Sequence, residues 1–175
     1  MTLIHADEAL LAEAGVKSPV VVDMMVPNGA ENKQVAEVIQ AMAAEAGFDL
    51  KLRVTEFATS LKEAEDGRFQ AYLIGWSGRV DPYGNSYIFF KTKAPQNNGL
   101  YSDAEVDQWL DDQRTVSTLG ERKAIFGKIA AKELTEGSII YLYHSVHFIA
   151  HTARLEGYKQ LADGLVRVVG LKLKP

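Results

Sequence analysis

The run Pro19–Val26 (PVVVDMMV) is almost continuously apolar and begins with three β-branched valines. A strand with one wet face alternates, so an unbroken run of this length predicts a strand covered on both faces. The next 50 residues narrow the choice further. Pro27-Asn28-Gly29 turns the chain. Val35, Val38, Ile39, Met42, Ala43 and Ala46 then recur at helical spacing, and Gly47 closes that helix. Leu50, Leu52 and Val54 alternate with Lys51, Arg53 and Thr55, which predicts a half-exposed strand. Thr59 or Ser60 is placed to cap a helix through Glu65, and Phe69–Trp76 reads as the third strand. Ala6–Ala14 precedes all of these as a short helix ending on Gly15. The order α-β-α-β-α-β needs crossover connections, which imply parallel pairing and an α/β layered fold.

The pattern changes after the third strand. Asp81 with Pro82 suits an N-cap followed by proline at the first helical position. Ser102 precedes a helix from Asp103 to about Val116, with Val106, Trp109 and Leu110 facing inward. Leu119–Glu136 is a longer helix carrying Ile125, Phe126, Ile129, Ala130 and Leu134 on its apolar face. Ser138–Tyr143, Val146–Thr152 and Leu165–Leu173 are β-prone. Lys91–Leu100, with Pro95 and Asn97-Asn98-Gly99, is expected to be the loosest loop.

Composition removes several classes. The chain has 175 residues, which favours one domain, and is 47% apolar, enough for a real core. Its net charge is −4, without the clustered Lys and Arg that nucleic acid or an anionic membrane calls for. No cysteine is present, so disulfides, thiolate zinc sites and a cysteine nucleophile are excluded. No apolar run approaches the ~20 residues of a membrane helix, and Met1–His5 lacks the features of a signal peptide.

The chemistry-bearing stretch is Tyr72-Leu73-Ile74-Gly75-Trp76-Ser77-Gly78-Arg79-Val80-Asp81-Pro82-Tyr83-Gly84-Asn85. An apolar strand ends there in a glycine-flanked loop, the place where α/β proteins usually meet ligands. Several further segments join it: Ala9–Gly15 (ALLAEAG), Ala36–Asp49 (AEVIQAMAAEAGFD), Tyr101–Asp107 (YSDAEVD), Glu121-Arg122-Lys123 and Gly137–Tyr143 (GSIIYLY). In this order and spacing they resemble the C-terminal lobe of the peptide/nickel-type (family 5) periplasmic solute-binding proteins of ABC importers. The resemblance implies a three-layer lobe of the type II periplasmic-binding-protein kind, with a mixed, mostly parallel sheet flanked by helices. It implies that residues 1–175 are one excised lobe, with Met1 an introduced start that explains the missing signal. It also implies that residues 160–175 normally return toward an N-terminal lobe absent here. Without that lobe the tail is expected to be disordered or to pair with another copy. The partners implied are a peptide or other small polar solute, an inner-membrane permease and the N-terminal lobe. The parent protein would be periplasmic, with no catalysis and no cofactor.

Candidate ligand-binding residues are Trp76, Ser77, Gly78, Arg79, Asp81, Tyr83 and Asn85. In peptide-binding members of the resembled family an aspartate just after this stretch pairs with the ligand's amino terminus. Here the alignment is one residue short and Arg79 stands near that place. Arginine favours carboxylate, phosphate or carbonyl oxygen, which its planar fork holds with two bonds. Its bland alternative is a solvated side chain, or one paired with Asp81. Trp76 serves equally as a stacking surface or as a core residue. Ser77 and Gly78 offer backbone groups, and Asp81 suits a cap better than a ligand contact. Tyr83 and Asn85 are placed at the rim. Asn28-Gly29 reads as a plain turn, and Asp111-Asp112 as a solvated helix face. Tyr72, Tyr141 and Tyr143 lie on expected strands as packing residues.

Other readings carry less. His144, His147 and His151 would share a helix face, but their surroundings are β-prone, which scatters them and argues against a metal site. Gly75–Arg79 fails as a nucleophile elbow because arginine stands where glycine is needed. No phosphate-cradling glycine motif is present. A small α/β hydrolase or transferase, and a stand-alone interaction domain, remain the alternatives to a solute-binding lobe.

Overall fold

A computed structural model describes residues 9–146, 148–161 and 164–175. They form two compact units, one ending at Gly75 and one beginning at Trp76.

The first unit is built on β1 (Val20–Pro27), α1 (Ala30–Glu45), β2 (Phe48–Thr55), α2 (Phe57–Glu65) and β3 (Ala71–Tyr72). The strands pair in the order β2-β1-β3, all parallel. Alternation along β1 sorts the two faces. Val22, Met24 and Val26 join Leu50, Leu52 and Ala71 in a cluster with Ala36, Ile39 and Ala43 of α1. The odd-numbered side chains turn the other way. Arg53 of β2 bonds to Asp23 of β1 at 3.0 Å and to Glu63 of α2. Tyr72 shares a 2.7 Å hydrogen bond with buried Ser60 of α2. Helices therefore cover both faces of a parallel sheet, as the unbroken apolar run predicted, and Met25 at its centre is 0% exposed.

Three details differ from the sequence reading. Val38 and Met42 of α1 are exposed, because Ala36 and Ile39 set the buried stripe. Glu56 caps α2, its carboxylate accepting from Thr59 N–H at 3.0 Å, while Thr59 and Ser60 lie inside the helix. The third strand is short: the ladder ends where Leu73 N–H donates to Met25 at 3.0 Å.

The second unit holds α3 (Tyr83–Phe90), α4 (Ala104–Asp112) and α5 (Leu119–Glu136) around Phe90, Val106, Leu110 and Ile129. Asp103, not Ser102, caps α4 by accepting from the N–H groups of Glu105 and Val106, both at 2.9 Å. Thr118 and Glu121 form a reciprocal capping box at the start of α5. On α5 the inward stripe runs through Ile125, Phe126 and Ile129 to Glu133, so Ala130 is exposed and Leu134 is 70% exposed. The segment expected to be loose, Lys91–Leu100, is braced by buried Asn97. Its amide donates to the carbonyls of Lys91 (3.1 Å) and Tyr101 (2.6 Å) and accepts from Tyr101 N–H at 2.9 Å.

The expected strands Ser138–Tyr143 and Val146–Thr152 do not form among the described residues. Ile140 is 86% and Phe148 92% exposed, and Tyr141 and Tyr143 are more than half exposed. β-propensity describes how a side chain fits a pleated, half-buried surface, and among the described residues no neighbouring strand supplies that surface. Further on, β4 (Leu155–Glu156) and β5 (Lys172–Leu173) pair antiparallel. Beside them Lys174 N–H donates to the Arg154 carbonyl at 2.9 Å, and the Arg154 side-chain Nε donates to the Lys174 carbonyl at 2.8 Å. Of the three histidines, His144 and His151 are exposed and His147 lies outside the described residues. His151 packs its ring 5.4 Å from that of Tyr158.

Candidate functional site

The loop after Gly75 is organised by one side chain. Asn85, in the first turn of α3, accepts at Oδ1 from Trp76 Nε1–H (3.0 Å) and from the backbone N–H of Arg79 (2.6 Å). Its Nδ2 donates to the Arg79 carbonyl at 2.8 Å. The turn between these anchors uses Gly78 at φ +78°, a left-handed conformation that glycine adopts without strain. Trp76 sets its ring edge-on to Phe89 of α3, centroids 5.1 Å apart. Arg79 lays its guanidinium over the Trp76 ring, 4.2 Å from the centroid. Its Nη1 donates to the Gly78 carbonyl at 2.7 Å and lies 3.4 Å from Ser77 Oγ. Among the described residues no carboxylate pairs with Arg79.

Asp81 does not provide that partner. Its carboxylate takes two bonds from Arg122 of α5, at 2.9 and 2.6 Å, and accepts Tyr83 N–H at 2.8 Å. The Arg122 hydrogen bonds, helped by Tyr83 N–H, hold its pKa below the usual carboxylate range. Proline at 82 occupies the cap position itself, so Asp81 braces α3 from one residue further out. Arg122 also donates from Nε to buried Gln113 at 3.0 Å. Asp81 and Tyr83 open onto a shallow cavity of about 320 Å³, lined also by Gln113, Arg114, Val116 and Arg122.

The structure thus brings five expected residues, Trp76, Ser77, Gly78, Arg79 and Asn85, into one bonded loop. Asp81 and Tyr83 belong to its bracing. Sequence reasoning missed three supports. Phe89 backs Trp76, and Arg122 neutralises Asp81 from 41 residues away. Gly84 makes room for the Arg79 stem: a Cβ there would meet Arg79 Cβ and Cγ at 3.1 and 3.2 Å. Of these, Gly84 and Arg122 lie in motifs visible in the sequence, Arg122 without its partner. Ser77 Oγ has Arg79 as its partner rather than a histidine or carboxylate that would activate it as a nucleophile. Asn28, at the end of β1, donates its N–H to Thr55 at 2.7 Å in a plain turn.

Residues 5–98 match the family model of the bacterial extracellular solute-binding proteins, family 5 Middle. The chain belongs to this family. The dipeptide-binding protein of Escherichia coli is 24% identical over 160 residues, which cover 86% of this chain and 30% of that protein. Heme-binding protein A of Haemophilus influenzae is 24% identical over 172 residues, covering 94% of this chain and 31% of that protein. The solved structure of HbpA2 from Haemophilus parasuis superposes with a TM-score of 0.81 at 26% identity, over 96% of this chain and 35% of that one. This family 5 chain therefore spans about a third of the length of the curated relatives it matches. Its α/β architecture, a parallel sheet flanked by helices, is that of the type II periplasmic binding proteins.

Proposed function

We propose that this chain is the C-terminal lobe of an extracytoplasmic solute-binding protein serving an ABC importer. The loop Trp76–Asn85 is one wall of its solute site. The N-terminal lobe supplies the other wall, and closure by hinge motion buries the solute before the protein docks on a membrane permease. The parent protein is periplasmic. Binding by two walls explains why little enclosed volume is needed on this lobe alone, since small-molecule sites bury most of their ligand.

One observation carries the reading. Arg79 is exposed on an ordered loop, stacked on Trp76, and Asp81 is already neutralised by Arg122. A stacked cation without a carboxylate partner among the described residues supports an anionic solute, such as a modified peptide or an opine-like acid, over a free peptide amine. Titration calorimetry of the natural full-length protein with acidic peptides and their amidated counterparts tests this. The acidic forms are expected to bind, and Arg79→Ala to lose about tenfold or more in affinity, as for a charge-assisted hydrogen bond. Equal binding of amidated and acidic forms, unchanged in Arg79→Ala, would overturn it.

A further inference from the structure

We infer that Asn85 is a positioning residue that holds the Nε–Nη2 edge of Arg79 ready for a carboxylate of the solute. This rests on reading the Trp76–Asn85 loop as a solute wall and adds the chemistry of its contact.

Asn85 was expected to touch the solute itself, but its amide is committed. Oδ1 accepts two N–H groups, from Trp76 and Arg79, and Nδ2 donates to the carbonyl of Arg79, with the Asp81 carbonyl 3.4 Å away. An amide has two acceptor lone pairs and two donor hydrogens, so its capacity is used. The three shorter bonds join both partners of a stack. One fixes the indole edge, and the other two fix the backbone from which the guanidinium departs. Asn85 is itself anchored, its N–H donating to the Pro82 carbonyl at 3.0 Å.

The consequence falls on Arg79. With its plane on the Trp76 ring and Nη1 donating to Gly78, the guanidinium has lost most of its rotational freedom. Nε and Nη2 have no partner among the described residues. Those two N–H groups are parallel donors at the spacing of two carboxylate oxygens. Preorganisation of this kind raises affinity by removing the ordering cost that a mobile arginine incurs on binding. Gly84 completes the device, since any side chain there crowds the Arg79 stem.

The test uses the natural full-length protein, with NMR signals of the Trp76 indole N–H and the Arg79 Nε–H assigned through Trp76→Phe and Arg79→Lys. Acetate is the probe. In the wild type, acetate is expected to shift the Arg79 Nε–H signal, and the Trp76 indole proton to exchange slowly. In Asn85→Ala the indole proton should exchange at least about tenfold faster, and acetate should bind about three- to tenfold more weakly. Asn85→Asp keeps the acceptor and should retain the slow indole exchange. Asn85→Leu, which fills similar space without an acceptor, should lose the slow exchange, and would keep it if Asn85 merely filled space. Should Asn85→Ala fail to fold, Asn85→Asp still reports, since it removes the Nδ2 donations to the Arg79 and Asp81 carbonyls and adds a charge that competes with acetate. An acetate response in Asn85→Ala equal to the wild type overturns the role of Asn85. No acetate response at Arg79 in the wild type overturns the carboxylate fork. A co-purified solute that leaves both the Trp76 and Arg79 signals unmoved would instead defeat the reading of the loop as a wall.

Discussion

The sheet of the first unit and the stretch from Ser138 to Thr152 have similar composition and opposite fates. Val20–Pro27 and Ser138–Tyr143 are both apolar and β-prone, with four valines in the first and two isoleucines and two tyrosines in the second. The first pairs on both edges and buries Met24, Met25 and Val26. The second joins no ladder, and Ile140 stays exposed. The difference lies in the neighbours. Val20–Pro27 is followed within 28 residues by a helix and a strand that return beside it, so loop closure costs little. No strand among the described residues pairs with Ser138–Tyr143. Intrinsic preference makes a strand available, and only a partner makes it form.

The largest effect should separate these regions directly. Met25→Ala removes a fully buried side chain and is expected to cost about 2–5 kcal/mol in urea unfolding, whereas Ile140→Ala in this 175-residue chain should stay within about 0.5 kcal/mol. Were a second lobe to cover this stretch in a full-length protein, Ile140→Ala should cost well above that figure there. Equal, negligible effects in both contexts would erase the contrast.

A second expectation concerns Glu133, at the boundary between the two behaviours. It is 7% exposed, its Oε1 has no hydrogen-bond partner, and burial pushes its pKa up to about 8. The folded form thus binds a proton more tightly than the unfolded chain, whose carboxyl titrates near its ordinary value. Stability from this group is complete below the ordinary glutamate range and is lost as pH rises toward about 8. Urea midpoints of the wild type should therefore fall between about pH 5 and 8, and Glu133→Gln should flatten that slope. An unchanged slope would show that α5 opens there, as the unpaired stretch does.

Smaller effects probe the packed side. Thr118→Ala disrupts the capping box of α5 and is expected to cost about 1 kcal/mol in thermal or urea unfolding. Asp81 gives the smallest effect, because its pair with Arg122 is largely exposed. Its lowered pKa means that its contribution is present above the ordinary aspartate range and lost as pH falls through the depressed value. Arg122→Gln should weaken that acid-side dependence while leaving neutral-pH melting nearly unchanged.

Much of this is legible in the sequence, where the signal is local. Hydrophobic period locates β1, β2, α1 and α5, and the glycine-flanked loop places Trp76 to Asn85 together. Caps lie one to four residues from their expected positions because Asp103 and Glu56 compete with hydroxyl neighbours for the same N–H groups. The Asp81–Arg122 pair spans 41 residues and leaves no periodic trace. Glu133 at an inward position contradicts the polarity pattern of α5, so only packing reveals it. The unpaired stretch carries strand propensity without a partner, and propensity is all that a sequence displays there.

The decisive experiment is native mass spectrometry of the natural full-length protein as purified, with the 175-residue chain run in parallel. A site built from two walls, with Arg79 as the anion contact, predicts a small acidic solute on the full-length protein. That solute should be lost in Arg79→Ala and absent from the 175-residue chain. A solute retained equally by the shorter chain, or one retained by Arg79→Ala, would contradict such a site.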